Sequence, residues 1–501
     1  MRRVWNMGTR SFLAIALPLA GVVLLDACAD QPSGPDRSAV QGAIIVNALD
    51  AVPFAPLSSV AVPKPVGGDI KNQTAAIVLG KALFWDAQVG SDGVVACASC
   101  HSNAGADPNP TSIGVVPAHF VGISPDPTNP VDICTVLSNT RQHTGRQAPS
   151  VIGAVFFRDN FWDGRANHVF NGFDPFGQTG NQTGAVGSPI TNASLASQSV
   201  GPPPNPVEMS CDGRPFNGPN SIATKLLARR PLGQQLVAPD DGVLGALSLS
   251  PNPGLNTTYR DLIAAAFGQT IARDAENQFS RIWGQAIQAY ASTLIPDQTP
   301  FDRFLAGDGT ALTAQQQQGL GLFTGKGECS KCHAGPELSD ASFTFFNKQG
   351  PINEDGGDQG FHNNGVTATA ADLGRAGTGP NGVSFSVSGS SFDRGAFKTS
   401  ALRNVGLTAP YFHNGGKATL ADVVAFYSGG GDVANPEKAS RIKVINFSPD
   451  ESTALVDFLA NGLTDCRVKA HRAPFDHPQL KLTTGNTVGP FGRSGDGTAC
   501  P

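Results

Sequence analysis

The chain has 501 residues and a formal net charge of -5, a length that allows two or three domains with a sizeable core. Charged residues make up 15%, below the roughly 25% usual in soluble domains, and 59 glycines with 38 prolines make loops abundant. So mild an acidity gives no reason to expect nucleic acid, but it leaves room for a small cationic protein partner, because steering depends on local patches.

The first residues read as an export signal over 1–28. Arg2, Arg3 and Arg10 precede an apolar run of 14 residues from Phe12 to Leu25, short of the roughly 20 that a membrane span needs. Two processing routes stay open. Leu25-Asp26-Ala27-Cys28 resembles a lipoprotein box, which would make Cys28 a lipid anchor, while Ala27 and Ala29 fit ordinary cleavage after Ala29. Both place the folded protein in the periplasm. Residues 29–65, rich in Pro, Ala and Val, read as a tether.

Next, Leu79-Gly80-Lys81-Ala82-Leu83-Phe84 predicts a short helix ahead of Cys97-Ala98-Ser99-Cys100-His101. The same order returns later in the chain. A helix with a capping box from Thr313 and Gln316 carries Gly319-Leu320-Gly321-Leu322-Phe323 toward Cys329-Ser330-Lys331-Cys332-His333. In Cys-x-x-Cys-His, two thiols add to the vinyl groups of one haem, and the adjacent imidazole becomes its proximal ligand. A zinc knuckle or a redox dithiol gives no reason for His to follow directly, twice. Two covalent haem c groups are therefore expected. Cys97 and Cys100 hold one and Cys329 and Cys332 the other, with His101 and His333 on the irons.

A late helix is predicted over 448–460. Ser448 is the N-cap, Pro449 suits the first position, Glu451 completes a capping box, and Leu455, Phe458 and Leu459 share one face before Asn461-Gly462. The expected fold is mainly α, with two cytochrome c-like haem domains over 66–300 and 301–465 and a tail over 466–501. Long irregular loops are expected at 104–140, 170–195 and 345–395. Asn353-Glu354-Asp355 and Asp358 read as a solvated loop, and His168 and His362 carry no ligand-like spacing. Apart from Cys28 and the haem cysteines, Cys134, Cys211, Cys466 and Cys500 remain. They allow three pairings, of which proximity favours Cys134–Cys211 and Cys466–Cys500.

More specific segments lie around the second haem motif. Arg146-Gln147-Ala148-Pro149-Ser150 is followed by Phe161-Trp162-Asp163-Gly164-Arg165-Ala166, Gln198 and Asn205-Pro206-Val207-Glu208-Met209. Later come Phe397-Lys398-Thr399-Ser400-Ala401-Leu402-Arg403-Asn404-Val405 and Thr408-Ala409-Pro410-Tyr411-Phe412-His413-Asn414-Gly415-Gly416. From about residue 70 to 465 this series resembles the bacterial di-haem cytochrome c peroxidases and their relative MauG. The extended loops and tail are more like larger members of the superfamily, which also contains rubber oxygenases.

The resemblance implies that the N-terminal haem reacts with peroxide and the C-terminal haem relays electrons. Glu208 matches the acid–base carboxylate over the N-terminal iron, with Gln198 beside it. Heterolysis needs such a group, because one proton must leave the inner peroxide oxygen and one must reach the outer. Trp162 matches the tryptophan between the haems, and Arg403 a cofactor-binding position. Gln147, Thr408 and Pro410 match positions that hold a calcium ion, with Gln147 where Asn is usual. His119 and His143 do not stand at the family's spacing for a distal ligand, so an open N-terminal site is expected.

Many relatives use Met as sixth ligand of the second haem. Here Met1 and Met7 lie in the signal, and Met209 adjoins Glu208. The family's ligand follows the motif histidine by fourteen residues, which from His413 is Tyr427. Thr419 caps a helix on which Leu420, Val423, Val424 and Tyr427 share a face. The resemblance thus implies a periplasmic enzyme that reduces hydrogen peroxide with electrons from a small cytochrome c or copper protein. One alternative is MauG-like or rubber-oxygenase-like oxidation of a protein or polymer. The other is a non-catalytic electron-transfer cytochrome, which would not need Gln198 and Glu208.

Overall fold

The computed structural model describes residues 52–91, 93–102, 104–107, 144–177, 180, 184–206, 208–210, 213–481 and 487–500. The signal, His119, His143 and the pairing of Cys134 with Cys211 lie outside the described residues. The helices that position the site are α1 (Gln73–Trp85), α2 (Cys97–His101), α3 (Ser194–Ser199), α4 (Tyr259–Phe267), α5 (Phe279–Ala291), α6 (Ala314–Thr324), α7 (Leu420–Ser428) and α8 (Pro449–Asp457). Strand is sparse. Phe361–His362 (β1) pairs antiparallel with Phe397–Lys398 (β2), and a second two-residue pair lies in the tail. Among the described residues no helix is long and apolar enough to cross a membrane.

Two hydrophobic cores are built on one plan. In the first, α1 packs on α5 and α4, burying Leu79, Leu83, Tyr259, Phe279, Trp283 and Tyr290. In the second, α6 packs on α8, burying Leu320, Phe323, Leu455 and Phe458. Each large apolar side chain buried in this way contributes roughly 1.5–3 kcal/mol relative to exposure. The predicted caps are present. Thr313 accepts from Gln316 N–H at 3.2 Å and Ser448 from Glu451 N–H at 3.2 Å, with both boxes closed reciprocally. The last helix differs from its prediction only at its end, where a π turn over Phe458–Gly462 follows α8.

The repeat extends to the helix crossings. A Cβ on Gly80 would run into the Ala286 carbonyl and the Tyr290 side chain, and one on Gly319 into the Ala454 carbonyl and Phe458. In both units a bare glycine lets the entering helix touch the late helix. Phe84 and Phe323, one turn on, then reach the haem histidines. Gly319→Ala should therefore lower stability by about 1–3 kcal/mol, the usual cost of overpacking. Gly321→Ala, where a Cβ meets open space on the same helix, should not. Denaturant unfolding of the two variants checks the pair.

Several elements differ from their sequence reading. The segment read as a tether is packed at its end: Val52 and Leu57 are buried, and Phe54 lies 5.6 Å edge-on to Phe301. The tail is joined by the expected Cys466–Cys500 disulfide, and it folds back so that Val468, Phe475 and Leu480 enter the first core. Asp358 is not solvated. It is buried and paired with Arg375 at 2.7 Å.

Candidate functional site

The first haem motif forms α2, directly beyond the end of α1. His101 Nδ1 lies 2.7 Å from the Gly105 carbonyl, which leaves Nε2 as the ring's free ligand atom, and Phe84 stands 6.2 Å from the imidazole. The second motif repeats this. His333 Nδ1 lies 3.1 Å from the Leu338 carbonyl and Phe323 stands 6.4 Å away. Burial lowers the pKa of both rings, so they are neutral and able to ligate. Cys97, Cys100, Cys329 and Cys332 form no disulfide and are half-buried. The residues fit two thioether-bound haems.

Glu208 sits in a turn that wraps the Asn205 carbonyl, which accepts from the N–H groups of Glu208, Met209 and Ser210 at 3.2, 3.0 and 2.9 Å. The Met209 carbonyl accepts from Ser91 N–H at 2.9 Å, tying this turn to the approach to α2. Burial pushes the Glu208 carboxyl up, and Arg165 only partly offsets it. The Cys97 thiol is pushed up to about 12 by burial, then by Cys100 and by Glu208. That coupling places the carboxyl within electrostatic reach of the first haem motif. Gln198, on α3, accepts from Phe161 N–H at 3.1 Å, so its oxygen braces the loop that bears Trp162.

Segments 146–150, 161–166, 397–405 and 408–416 converge at the second motif. Trp162 Nε1 donates to the Gln147 carbonyl at 2.7 Å, and Gln147 N–H donates to the His413 carbonyl at 2.6 Å. His413 stacks on Phe397 at 3.6 Å and meets Trp162 edge-on at 6.4 Å. Together they wall a cavity of about 260 Å³ that also takes in Cys329, Cys332, His333, Arg403, Thr408, Pro410 and Tyr427. Leu420, Val423 and Val424 line it with Tyr427, so the predicted stripe on α7 does face the second haem motif. The Tyr427 hydroxyl accepts from Asn364 at 3.3 Å, and burial with the neighbouring Cys332 and Cys329 holds the phenol well above its ordinary pKa. Arg403 lines the cavity, but its fork is bound by Asp302 at 2.6 Å and by the Pro336 carbonyl. The Gln147 carboxamide nitrogen donates to the Asp107 carbonyl.

Two cavity residues were missed. His362, brought in by the β1–β2 pair, has Nε2 2.7 Å from Asp340, and with Cys332 these groups lie close enough to hold a metal ion. Cys332 belongs to the haem motif, so the cluster is a buried histidine–carboxylate pair beside the second haem motif. Lys398 reaches the Asn160 amide oxygen at 2.9 Å, and burial lowers its pKa to about 7 against the pull of Asp159 and Asp163. Nothing local in the sequence marks either residue, because their partners are remote in the chain.

The family model for di-haem cytochrome c peroxidase matches residues 74–310. The chain is related to the di-haem cytochrome c peroxidases and MauG. It is 27% identical to the cytochrome c551 peroxidase of Pseudomonas aeruginosa, over 82% of this chain and 84% of that one. It is 27% identical to the methylamine utilization protein MauG of Methylorubrum extorquens, over 84% of each. With the cytochrome c peroxidase Ccp of Escherichia coli it shares 29% over 72% of its own length, and the match spans 54% of that longer relative. A crystal structure of a MauG-like protein associated with microbial copper homeostasis agrees in fold, with a TM-score of 0.50 at 23% identity over 82% of this chain and 97% of that one. The di-haem peroxidase family is one of oxidoreductases, and the mainly helical architecture accords with it.

Proposed function

We propose that this di-haem protein works in the periplasm and reduces hydrogen peroxide at the His101 haem, with electrons arriving at the His333 haem from a small cytochrome c or copper protein. The carrying observation is the asymmetry of the two sites. A buried, proton-hungry carboxyl serves the first motif, while the second faces an aromatic-walled cavity shared with Trp162 and Tyr427. When bound, the haems supply redox-active iron for peroxide and for electron exchange. Glu208 holds and moves the proton. Gln198 braces the Phe161–Trp162 loop, and Trp162, held by the Gln147 carbonyl, is the conductive ring on the path between the motifs. A lipid anchor at Cys28 belongs to the same reading. So does a calcium ion at Gln147, Thr408 and Pro410, which supply three of the six to eight oxygens that calcium takes, with water for the rest. Stopped-flow spectra after mixing with hydrogen peroxide test the reading; haem bands that do not respond would sink it.

Tyr427 as sixth ligand of the second haem favours a second reading, oxidation of a protein or polymer in the manner of MauG. An anionic phenolate stabilises oxidised iron, which suits storing an oxidising equivalent better than accepting electrons from a high-potential donor. To serve as a ligand, Tyr427 would have to give up the phenolic proton that burial retains. Tyr427→Phe should change the ferric spectrum of one haem only and raise its potential. An unchanged spectrum and potential would assign the ligand elsewhere.

A further inference from the structure

A second set of rings leads from the His101 imidazole to the tail. Phe84 lies 6.2 Å from that ring, and Trp85 and Tyr290 lie 5.9 and 5.6 Å from Phe84. The Trp85 indole N–H donates to the Tyr290 hydroxyl at 2.9 Å. His477 of the tail stacks flat on the indole, with centroids 4.4 Å apart and planes 5° off parallel. His477 Nε2 lies 3.1 Å from His471 Nδ1, and half-buried His471 stacks on Phe491 at 4.7 Å. Beneath them, Asp241 and Asp476 share one ammonium, Lys81, with all three side chains fully buried.

We propose that Trp85, clamped between Tyr290 and His477, is a second electron relay serving the His101 haem, and that it connects this haem to the C-terminal tail. The proposal rests on the peroxide reading above. A core tryptophan needs only apolar neighbours, whereas this one has every feature that stabilises a ring cation. Its N–H is hydrogen-bonded, so charge is shared outward. Its stacked imidazole is kept neutral, since burial lowers the His477 pKa to about 3, and therefore does not repel a positive indole. Lys81 is met by Asp241 at 2.8 Å and by Asp476 at 3.4 Å, so the one buried ammonium near the indole is countered by carboxyl groups, where Coulomb terms are least screened.

The step is a single-electron transfer. After hydrogen peroxide has withdrawn electrons from the His101 haem, the Trp85 indole gives one electron back through Phe84. No bond forms or breaks, the indole keeps its proton on the Tyr290 hydrogen bond, and one positive charge stays on the ring. A one-electron reductant reaching His471 and Phe491 on the tail restores it.

The test is freeze-quench EPR of the full-length holoprotein mixed with hydrogen peroxide, alongside its optical spectrum. The expected result is an organic-radical signal that narrows when the tryptophan rings are deuterated, is lost in Trp85→Phe, and persists in Trp162→Phe. A signal that survives Trp85→Phe, or none at all while the haem bands respond to peroxide, overturns the relay and leaves the peroxide reading standing. Haem bands that do not respond overturn both. Tyr290→Phe, which removes only the acceptor of the indole hydrogen bond, should alter the line shape of the signal. An unaltered line shape also counts against the relay, even if Trp85→Phe fails to fold.

Discussion

Glu208→Gln is expected to cut peroxide turnover by about 10²–10⁴-fold while both haems remain attached, the usual worth of a positioned acid–base group. The amide keeps the size of the side chain and the turn around the Asn205 carbonyl, whose bonds come from backbone N–H groups. Only the ionisable oxygen is lost. The carboxylate is the form that accepts the first proton, and burial raises its pKa against Arg165. Turnover of the native enzyme should therefore rise with pH through a value above that of an ordinary glutamate, and fall below it. That acidic limb should vanish in the Gln variant. Steady-state rates across pH, with haem content by mass, decide the matter, and near-normal activity would return Glu208 to a structural role.

What was legible in the sequence was local. The two haem motifs, the capping boxes at Thr313 and Ser448, the Cys466–Cys500 bridge and the Leu420–Tyr427 stripe each depend on residues close in the chain or on a simple period. Helix α5 was not predicted although Arg281, Gln285 and Gln288 recur at helical spacing; that polar stripe is buried with the rest of the helix and does not face solvent. Its polar residues are satisfied internally: Arg281 pairs with Asp69 at 2.5 Å, and Gln288 donates to the Asn192 carbonyl at 2.7 Å. Lys81 misleads for a similar reason. A lysine in a helix reads as solvent-facing, yet it is held at 2.8 Å by Asp241, far along the chain. The end of the tether and Asp358 were read from composition, which reports average exposure and not the fit of Phe54 against Phe301 or of Asp358 to Arg375. At the site, the resemblance supplied residue types, but the structure divides their tasks. Gln198 is spent on the Phe161 loop and Arg403 on Asp302, while His362 and Lys398 enter the cavity through a two-residue strand pair that has no sequence signature.

The largest effect is expected from removing one haem. With Cys97 and Cys100 both changed to Ala, the protein should lose one haem by mass and all peroxide turnover, while the His333 haem stays attached. The two cores give the reason. His101 and Phe84 belong to the packing of α1 on α5, whereas His333 and Phe323 belong to α6 on α8, so the second haem has its own helical support. His101 would remain, its Nδ1 still on the Gly105 carbonyl, but a single imidazole without the thioethers does not hold the porphyrin in register with Glu208. The converse variant, Cys329 and Cys332 to Ala, separates the roles. It should keep a spectral response of the His101 haem to peroxide and lose turnover supported by an external donor. Full peroxidase activity in the Cys97 and Cys100 variant would move the peroxide chemistry to the Tyr427 side of the molecule, where Glu328 and His362, the latter paired with Asp340, line the cavity.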